Sequence, residues 1–374
     1  MQIAVNTRLL LKNKLEGIGW FSYETLKRLT IQHPEHHFIF IFDRDFDEEF
    51  IFSDNITPII VSPQARHPVL FYWWFEISVR NLLDKLKPDL FLSPDGYLSL
   101  SANIKQLAVI HDLNFVHYQK DLPWLMSKYY NYYFPRFAHK ATRIATVSEF
   151  SKQDIITQFK ISSDKIDVVY NGSNKMFAPL NLSQQQATRD KFSKGKSYFL
   201  FLGSLHPRKN IVNLFSSFDE FKNNSESDVQ LLMVGEKYYW TSEMRDCFEK
   251  MKFKNDVIFT GRLYDENLKN IVGSALALTY ISYFEGFGIP IIEAMSCDVP
   301  VITSNVTSMP EVAGDAALLV NPFSVDEIKN AMLKIYKDEV FRNQLIEKGK
   351  IQKEKFSWDK TADKLWESIE KSTK

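Results

Sequence analysis

The sequence predicts an α/β protein made of two doubly wound domains. Short apolar runs alternate with longer runs of helical periodicity from residue 1 to about residue 170, and a second series starts near residue 198. This alternation is typical of βαβ units, whose strands pair in a parallel sheet. The chain has 374 residues, of which 45% are hydrophobic, so two buried cores can form.

Each predicted element follows from one of these runs. The predicted strands of the first domain are residues 3–5, 38–42, 59–61, 90–92, 107–110, 144–147 and 166–169, and its helices lie near 19–32, 69–87, 123–139 and 149–159. The predicted strands of the second domain are residues 198–202, 230–234, 257–259, 275–278, 299–302 and 317–320. The polar segment 171–197 predicts a linker. We therefore expect domains at residues 1–178 and 179–355, and a C-terminal helix at 356–374 that packs back towards the first domain.

Composition and charge exclude several classes of protein. Lys and Arg together number 46, as do Asp and Glu, so no overall positive field attracts nucleic acid. Two cysteines form neither a zinc quartet nor a disulfide framework, which favours a reducing compartment. The sequence start lacks a signal-peptide pattern, and the longest purely apolar run, 69–75, is too short to cross a bilayer. We predict a cytoplasmic protein with no nucleic-acid partner.

The most informative stretch follows a predicted strand and begins at Glu285. Gly286 and Gly288 allow a close backbone approach, and the amides of residues 286–289 fall at a predicted helix N-terminus, which attracts anions such as phosphate. Glu293 lies about one turn into that helix, so both carboxylates can face one ligand. Carboxylates accept hydrogen bonds from the hydroxyls of a sugar or a ribose. On spacing alone, a strand-to-helix turn with two solvated glutamates remains the alternative.

The stretch resembles the paired-glutamate motif of retaining glycosyltransferases of family 4. The likeness extends to Asn171-Gly172, to Gly203-Ser204-Leu205-His206-Pro207-Arg208-Lys209-Asn210, to Gly261-Arg262-Leu263, and to Pro310-Glu311-Val312-Ala313-Gly314-Asp315-Ala316. These segments span the second domain in the family's order. The resemblance implies the GT-B fold, with two Rossmann-like domains facing a central cleft, and the transfer of a sugar from a nucleotide diphosphate donor without a cofactor.

Arg208 and Lys209 follow a glycine turn at the end of a strand, where two cations can neutralise a diphosphate leaving group. By itself such a pair is usually a solvated helix edge. The resemblance implies that Glu293 binds the donor ribose and that Glu285 contacts the transferred sugar near its 3- and 4-hydroxyls. The expected donor-binding residues are Gly17, Gly19, Gly203, Arg208, Lys209, Arg262, Leu263, Glu285, Gly286, Phe287, Gly288, Ile289 and Glu293.

Signals in the first domain are weaker. Gly17 and Gly19 open a predicted helix, as a turn that touches a phosphate or an acceptor would, but a single G-x-G is common. His111 and Asp112 end an apolar run at the expected edge of the cleft. The family places a histidine here beside the donor sugar and the acceptor, so we expect both residues on the acceptor side and His111 in catalysis with Glu285, Arg208 and Lys209. A histidine at this point is equally often a structural hydrogen-bonding group.

Two features leave alternatives open. Asp43, Asp45 and Asp47 form overlapping D-x-D patterns, by which metal-dependent transferases hold a diphosphate. Carboxylates on a loop are more often solvated, and Arg208 and Lys209 already supply positive charge, so we predict no metal. The sequence also does not decide the shape of the loop at Asp298, because the family usually has a glycine there.

A surface of the first domain combines aromatic and basic residues. In the predicted helix 69–87, a core stripe is expected to contain Phe71, Phe75, Val79, Leu82 and Leu86. The opposite side carries Trp73, Ile77 and Arg80, and similar chemistry recurs at Trp124, Lys128, Tyr129, Tyr132 and Arg136. This pattern predicts a weak peripheral contact with a membrane. Packing within the domain is the alternative.

The residues and the resemblance together predict a retaining glycosyltransferase that is independent of metal. Residues 146–151 and 310–314 resemble mannosyltransferases of bacterial surface polysaccharide assembly. The expected donor is GDP-mannose first and a UDP-hexose second, and the expected acceptor is a glycan or a lipid-linked glycan. A nucleotide-sugar 2-epimerase of the same architecture and a catalytically silent scaffold are the alternatives.

Overall fold

A computed structural model describes residues 1–237 and 239–374 and divides the chain into two compact units. The first unit comprises Met1–Asn171 together with Ser357–Lys374, and the second comprises Gly172–Phe356. The boundary expected after residue 178 therefore lies inside the second unit. Across the described residues, the helices are all too short or too polar to cross a membrane.

The first unit is built on a parallel sheet. Within the described residues this sheet has seven strands in the order β3-β2-β1-β4-β5-β6-β7, with Ile3 of the central strand opposite both Phe38 and Leu90. The strands are β1 (Gln2–Asn6), β2 (His37–Phe42), β3 (Ile56–Ile60), β4 (Leu90–Ser93), β5 (Gln106–Val109), β6 (Arg143–Thr146) and β7 (Ile166–Val168). Nearly every residue of the central strands is buried, which explains why their sequences are continuous apolar runs.

The helices of the first unit include the last one in the chain. They are α1 (Gly17–Gln32), α2 (Pro68–Trp73), α3 (Arg80–Leu86), α4 (Asn114–His117), α5 (Trp124–Lys140), α6 (Glu149–Phe159) and α15 (Trp358–Thr373). Helix α15 packs against α1, and Arg28 forms an ion pair with Asp359 at 2.6 Å. The Thr361 hydroxyl donates to the Tyr170 carbonyl at 2.6 Å.

The predicted helix 69–87 is interrupted by a π-helical segment, Trp74–Val79, between α2 and α3. Phe71, Phe75 and Val79 are buried as predicted, and Leu82 and Leu86 are partly buried. Trp74 is also fully buried. A π segment contains more residues per turn than an α-helix, so a wider arc of side chains reaches the core.

The expected surface position of Tyr129 is wrong. Tyr129 is buried in the core, and its ring stacks on Tyr133 with 4.4 Å between centroids. The ring of Tyr133 stacks in turn on Phe137. Residues four apart share one face of a helix, and here that face is the inner face of α5.

The second unit is also built on a parallel sheet. Within the described residues its six strands have the order β10-β9-β8-β11-β12-β13. They are β8 (Tyr198–Leu202), β9 (Gln230–Val234), β10 (Val257–Gly261), β11 (Ala277–Tyr280), β12 (Val301–Ser304) and β13 (Leu318–Val320). The helices are α7 (Leu182–Ser193), α8 (Ile211–Ser225), α9 (Ser242–Lys250), α10 (Asp265–Gly273), α11 (Ile289–Ser296), α12 (Met309–Ala313), α13 (Val325–Lys337) and α14 (Glu339–Gln352).

Helix α7 corrects the prediction of a linker at residues 171–197. It begins with a capping box, in which the Asn181 side chain accepts from the Gln184 amide and the Gln184 side chain accepts from the Asn181 amide. Only Thr188 and Ser193 are buried within this helix. Because it buries so little, it has no apolar periodicity from which a helix could be predicted.

Candidate active site

Three glycines end neighbouring strands of the second sheet. Gly203, Gly235 and Gly261 follow or end β8, β9 and β10, and their φ angles are 141°, 147° and 71°. A Cβ atom on Gly235 would lie 1.9 Å from the Gly203 carbonyl oxygen, so the two loops can meet only where a side chain is absent. Gly203 is among the predicted donor-binding residues and Gly235 is not, although both glycines directly follow a buried strand.

The Arg208–Lys209 pair lies in a 3₁₀ turn, Pro207–Lys209, between β8 and α8. The next residue, Asn210, has a φ of 62°, and its side-chain amide donates to the carbonyls of Ile281 at 3.0 Å and Pro322 at 2.6 Å. These bonds tie the turn to the segment that follows β11. Strands β8 and β11 are parallel neighbours, so their carboxyl ends meet at one edge of the sheet.

Glu285 joins both cations. Arg208 Nη1 lies 2.6 Å from one carboxylate oxygen, and Lys209 Nζ lies 2.5 Å from the other. Burial opposes the charged form of Glu285, but the charges of Arg208 and Lys209 outweigh that effect and lower its pKa to about 2. The structure therefore brings three predicted site residues into one cluster, in which the Glu285 carboxylate is ionised at neutral pH.

His206 is the N-cap residue of this 3₁₀ turn. Its Nδ1 atom accepts from the Arg208 amide at 3.3 Å. Burial, together with the charges of Arg208 and Lys209, lowers the pKa of His206 to about 4. The ring is therefore neutral at pH 7 and serves as a hydrogen-bond acceptor for the turn.

The loop after Glu285 leads directly into α11. Gly288 has a φ of 103° and is the N-cap residue of α11, whose first amides have no acceptor within the helix. The buried hydroxyl of Ser308 contacts the carbonyls of Glu285 and Phe287 at 2.9 and 3.0 Å. Ser308 thus fixes the loop from the start of α12. No local pattern in the sequence indicates this contact.

Glu293 lies one turn into α11 and is partly buried. Neither the hydrogen bonds nor the ion pairs of the described part of the chain include its carboxylate. Burial raises the pKa of Glu293 to about 8. The two predicted glutamates therefore differ, because Glu285 is charge-paired and Glu293 is held in a poorly solvated position without a charge partner.

The Glu293 carboxyl should make stability depend on pH. Its pKa rises from 4.5 to about 8 on folding, so the folded protein binds more protons between these values. Its contribution to the free energy of unfolding is therefore complete below pH 4.5 and is lost as the pH rises to 8. We expect Glu293→Gln to flatten the decline in stability over this window, as measured by urea unfolding.

A matched control is Glu339→Gln, which changes an exposed glutamate of the same unit and should reproduce the wild-type pH profile. If the Glu293→Gln profile also paralleled the wild type, burial of Glu293 would not control its ionisation.

Gly17 and Gly19 lie in the first turn of α1. A Cβ atom on Gly17 would meet nothing within 4 Å, whereas one on Gly19 would lie 3.1 Å from the Leu9 carbonyl oxygen. A side chain at position 19 would therefore be crowded within this unit, whereas position 17 has room for one.

His111 and Asp112 both have structural contacts. Nε2 of His111 lies 2.8 Å from the Pro94 carbonyl, which can only accept, so this nitrogen carries the proton. Burial lowers the pKa of His111, so the ring is neutral at pH 7. The Asp112 carboxylate accepts a hydrogen bond from the amide of Asn114, the first residue of α4, at 2.9 Å. Either residue can still present its remaining polar atoms to a ligand.

The other predicted positions are placed as follows. Arg262 lies just after β10, with its guanidinium 5.0 Å from the centre of the Tyr264 ring, and Leu263 follows it. Asp298 has a φ of 56°, so it adopts the left-handed conformation that a glycine would favour in that turn. This departure from the family pattern lies just before β12, which begins at Val301.

Two of the three D-x-D aspartates, Asp43 and Asp47, have protein partners. The Asp43 carboxylate accepts from Arg44 at 2.6 and 2.8 Å and from the Ala65 amide at 2.9 Å, and Asp47 pairs with Lys12 at 2.6 Å. Within residues 1–237 and 239–374, no three or more His, Cys, Asp or Glu side chains are grouped so that they could hold a metal ion. Asp43 therefore has a structural task, the anchoring of the segment before α2.

Two doubly wound parallel sheets in one chain are the architecture of GT-B glycosyltransferases. Residues 183–352 match the model described as "Glycosyl transferases group 1", and residues 16–175 match that described as "Glycosyltransferase Family 4". Together the two models account for most of the chain. The chain belongs to this family of glycosyltransferases.

Named relatives and solved structures agree with the family. The chain is 27% identical over 360 residues to the O-antigen chain mannosyltransferase B of Escherichia coli, covering 93% of this chain and 94% of the relative. It is 27% identical over 283 residues to the O-antigen chain mannosyltransferase RfbU of Salmonella typhimurium, covering 74% and 75%. The structure of Anabaena Alr3699/HepE in complex with UDP and glucose matches with a TM-score of 0.76 at 16% identity, covering 99% of both chains.

Proposed function

We propose that this glycosyltransferase moves a hexose, with mannose favoured, from a nucleotide diphosphate sugar to a hydroxyl of a glycan or lipid-linked glycan, with retention of the anomeric configuration. The observation that carries the proposal is the Arg208, Lys209 and Glu285 cluster beside the N-terminus of α11. It places positive charge for a leaving diphosphate next to a carboxylate that can accept from sugar hydroxyls.

In this proposal, each residue has a separate task. Arg208, Lys209 and the amides at the start of α11 stabilise the charge that develops on the diphosphate as the glycosidic bond breaks. Glu285 orients the sugar through its hydroxyls, and Glu293 accepts from the ribose. The acceptor attacks on the face from which the diphosphate leaves, and a phosphate oxygen takes the acceptor proton. No divalent ion is required, because the protein itself supplies the compensating charge.

The donor is proposed to be GDP-mannose first and a UDP-hexose second. The two bacterial relatives described above are named as mannosyltransferases, and the Anabaena structure holds UDP and glucose. The proposed acceptor is a glycan or a lipid-linked glycan because both relatives are named for the O-antigen chain.

The test is to incubate the protein with GDP-mannose, UDP-glucose and UDP-galactose, with and without lipid-linked and simple glycoside acceptors, and to identify the products by mass spectrometry. We expect a glycosylated acceptor with the donor's anomeric configuration, in the presence or absence of excess EDTA. A changed nucleotide sugar without any acceptor would indicate an epimerase. If no donor gave a product, the protein would be a catalytically silent scaffold. If EDTA abolished activity and only Mg²⁺ or Mn²⁺ restored it, the enzyme would depend on a metal.

We further propose that a surface of the first unit contacts an anionic membrane, which would bring the site to a lipid-linked acceptor. Trp73 and Trp124 are 52% and 73% exposed, and Ile77 is 37% exposed. Lys128 is exposed on α5, as is Arg80 on α3, although Arg80 also pairs with Asp84 at 3.1 Å. Apolar side chains flanked by cations suit an interface rich in anionic headgroups.

The membrane proposal predicts that Trp73→Ala combined with Arg80→Glu reduces co-sedimentation with anionic vesicles at low salt, because it removes apolar area and reverses a charge. Activity on a lipid acceptor should fall, and activity on a water-soluble acceptor should not. The control, Ile31→Ala with Lys14→Glu, alters an exposed apolar residue of α1 and an exposed lysine outside this surface. If the test variant and the control variant bound vesicles equally, or if the wild type did not bind them, the proposed membrane contact would be wrong.

A further inference from the structure

Tyr280 lies beneath the charged cluster at the end of β11. It is 2% exposed, and its hydroxyl accepts from Lys209 Nζ at 2.6 Å. The same ammonium lies 4.7 Å from the centre of the Tyr280 ring. Lys209 is thus held by a phenol from β11 as well as by the Glu285 carboxylate.

The ring of Tyr280 also reaches the start of α11. A Cβ atom built on Gly288 would lie 3.4 Å from Cε1 of Tyr280, which is ordinary van der Waals contact. The Tyr280 carbonyl accepts from the Thr303 hydroxyl at 2.7 Å, which fixes the backbone of Tyr280 against β12. One buried aromatic side chain therefore contacts the lysine and lies close to the N-cap of the helix that we propose binds the diphosphate.

These contacts restrict the lysine strongly. An ammonium group has three N–H donors on a flexible stem. Glu285 and Tyr280 receive two of them, so the direction of the third is set by the protein. Without the phenol, Lys209 would lose one of the two hydrogen bonds that fix the direction of its ammonium group. Burial and the charge of Glu285 raise the pKa of Tyr280 well above its usual range, so the phenol stays neutral.

We propose that Tyr280 is a positioning residue. It holds the Lys209 ammonium in an orientation in which the ammonium can pair with Glu285 and bind a diphosphate at the same time. The inference rests on the proposed function of Arg208 and Lys209 as diphosphate-binding groups. It assigns Tyr280 an effect on the diphosphate and none on the base or ribose of the donor.

The test compares Tyr280→Phe with Tyr198→Phe. Both wild-type residues are fully buried tyrosines on neighbouring strands, and each hydroxyl is hydrogen-bonded, and that of Tyr198 donates to the Ile271 carbonyl at 2.7 Å. Tyr198 lies at the opposite end of its strand from Arg208 and Lys209. The measurements are calorimetric affinities for GDP, UDP and the corresponding nucleosides, steady-state kcat and KM, and thermal unfolding.

We expect Tyr280→Phe to weaken binding of the preferred nucleoside diphosphate by about tenfold, as loss of a hydrogen bond to a charged group predicts, and to leave nucleoside binding unchanged. A similar fall in kcat should accompany it, while Tyr198→Phe changes only thermal stability. Equal diphosphate affinity and kcat in wild type and Tyr280→Phe would overturn the positioning role. A wild type that binds neither diphosphate would instead overturn the proposed function, so the two failures are distinct.

Discussion

Replacing both Arg208 and Lys209 with alanine is expected to lower kcat/KM for the donor by a factor on the order of 10³ or more, because removing one preorganised electrostatic group from an active site typically costs about 10²–10³. The loss should appear in single-turnover measurements, in which the chemical step is separated from product release. Retention of near-normal turnover would show that the diphosphate is bound elsewhere.

Folding complicates this variant, and the structure shows why. Glu285 is buried and is neutralised by the two cations that the variant removes. An uncompensated buried charge destabilises a protein by about 3–5 kcal/mol. The matched control is therefore the triple variant Arg208→Ala, Lys209→Ala and Glu285→Gln, which carries no orphaned charge. The triple variant should regain thermal stability and stay inactive, which separates the loss of charge stabilisation from a loss of fold.

Glu285→Gln is the change with the second largest expected effect. The glutamine keeps the size of the side chain but removes the charge that holds Arg208 and Lys209 together, so we expect kcat to fall by about 10²-fold or more. Affinity for the nucleoside diphosphate should change less, because in the proposed function this carboxylate contacts the transferred sugar. The pKa of Glu285 is about 2, so the wild-type carboxylate stays ionised and the effect should be constant between pH 5 and 8.

Glu293→Gln is the comparison for Glu285→Gln. Its carboxyl is proposed to accept from the donor ribose, so the substitution should raise KM for the donor more than it lowers kcat. Calorimetry with GDP and with UDP measures the binding part directly. If both glutamine variants changed nucleotide affinity to the same extent, the two carboxylates would share one role and the assignment of separate roles would be wrong.

Much of the fold could be predicted because parallel strands buried on both faces are continuous apolar runs. The strands at 198–202 and 230–234 are confirmed to the residue. Helix α7 could not be predicted, because a helix that buries only two residues has no periodic signal. Tyr129 was misplaced for a related reason. Its neighbours in sequence are mixed in polarity, and only the packing of α5 decides which aromatic side chains face inwards.

The candidate site was predictable where motif and strand end coincide. Arg208, Lys209 and Glu285 each follow a buried strand, and the order of the sheet brings them together. Tyr280, Ser308 and Asn210 could not be found in the same way. Each acts through a contact with a segment distant in the sequence, so neither its residue type nor its spacing indicates its partner.

The assignment of α15 to the first unit has a consequence for biosynthesis. Residues 1–171 leave the ribosome first, but the helix that packs against α1 follows only after the whole of residues 172–356. Domains generally fold as units during synthesis. Here the second unit is complete while the first still lacks α15. Until α15 is made, Arg28 lacks its ion pair with Asp359, and the Tyr170 carbonyl lacks its hydrogen bond from Thr361. A nascent chain arrested at residue 356 would therefore carry one finished unit and one with an open apolar face, which makes the last eighteen residues of this sequence the step that closes the first unit.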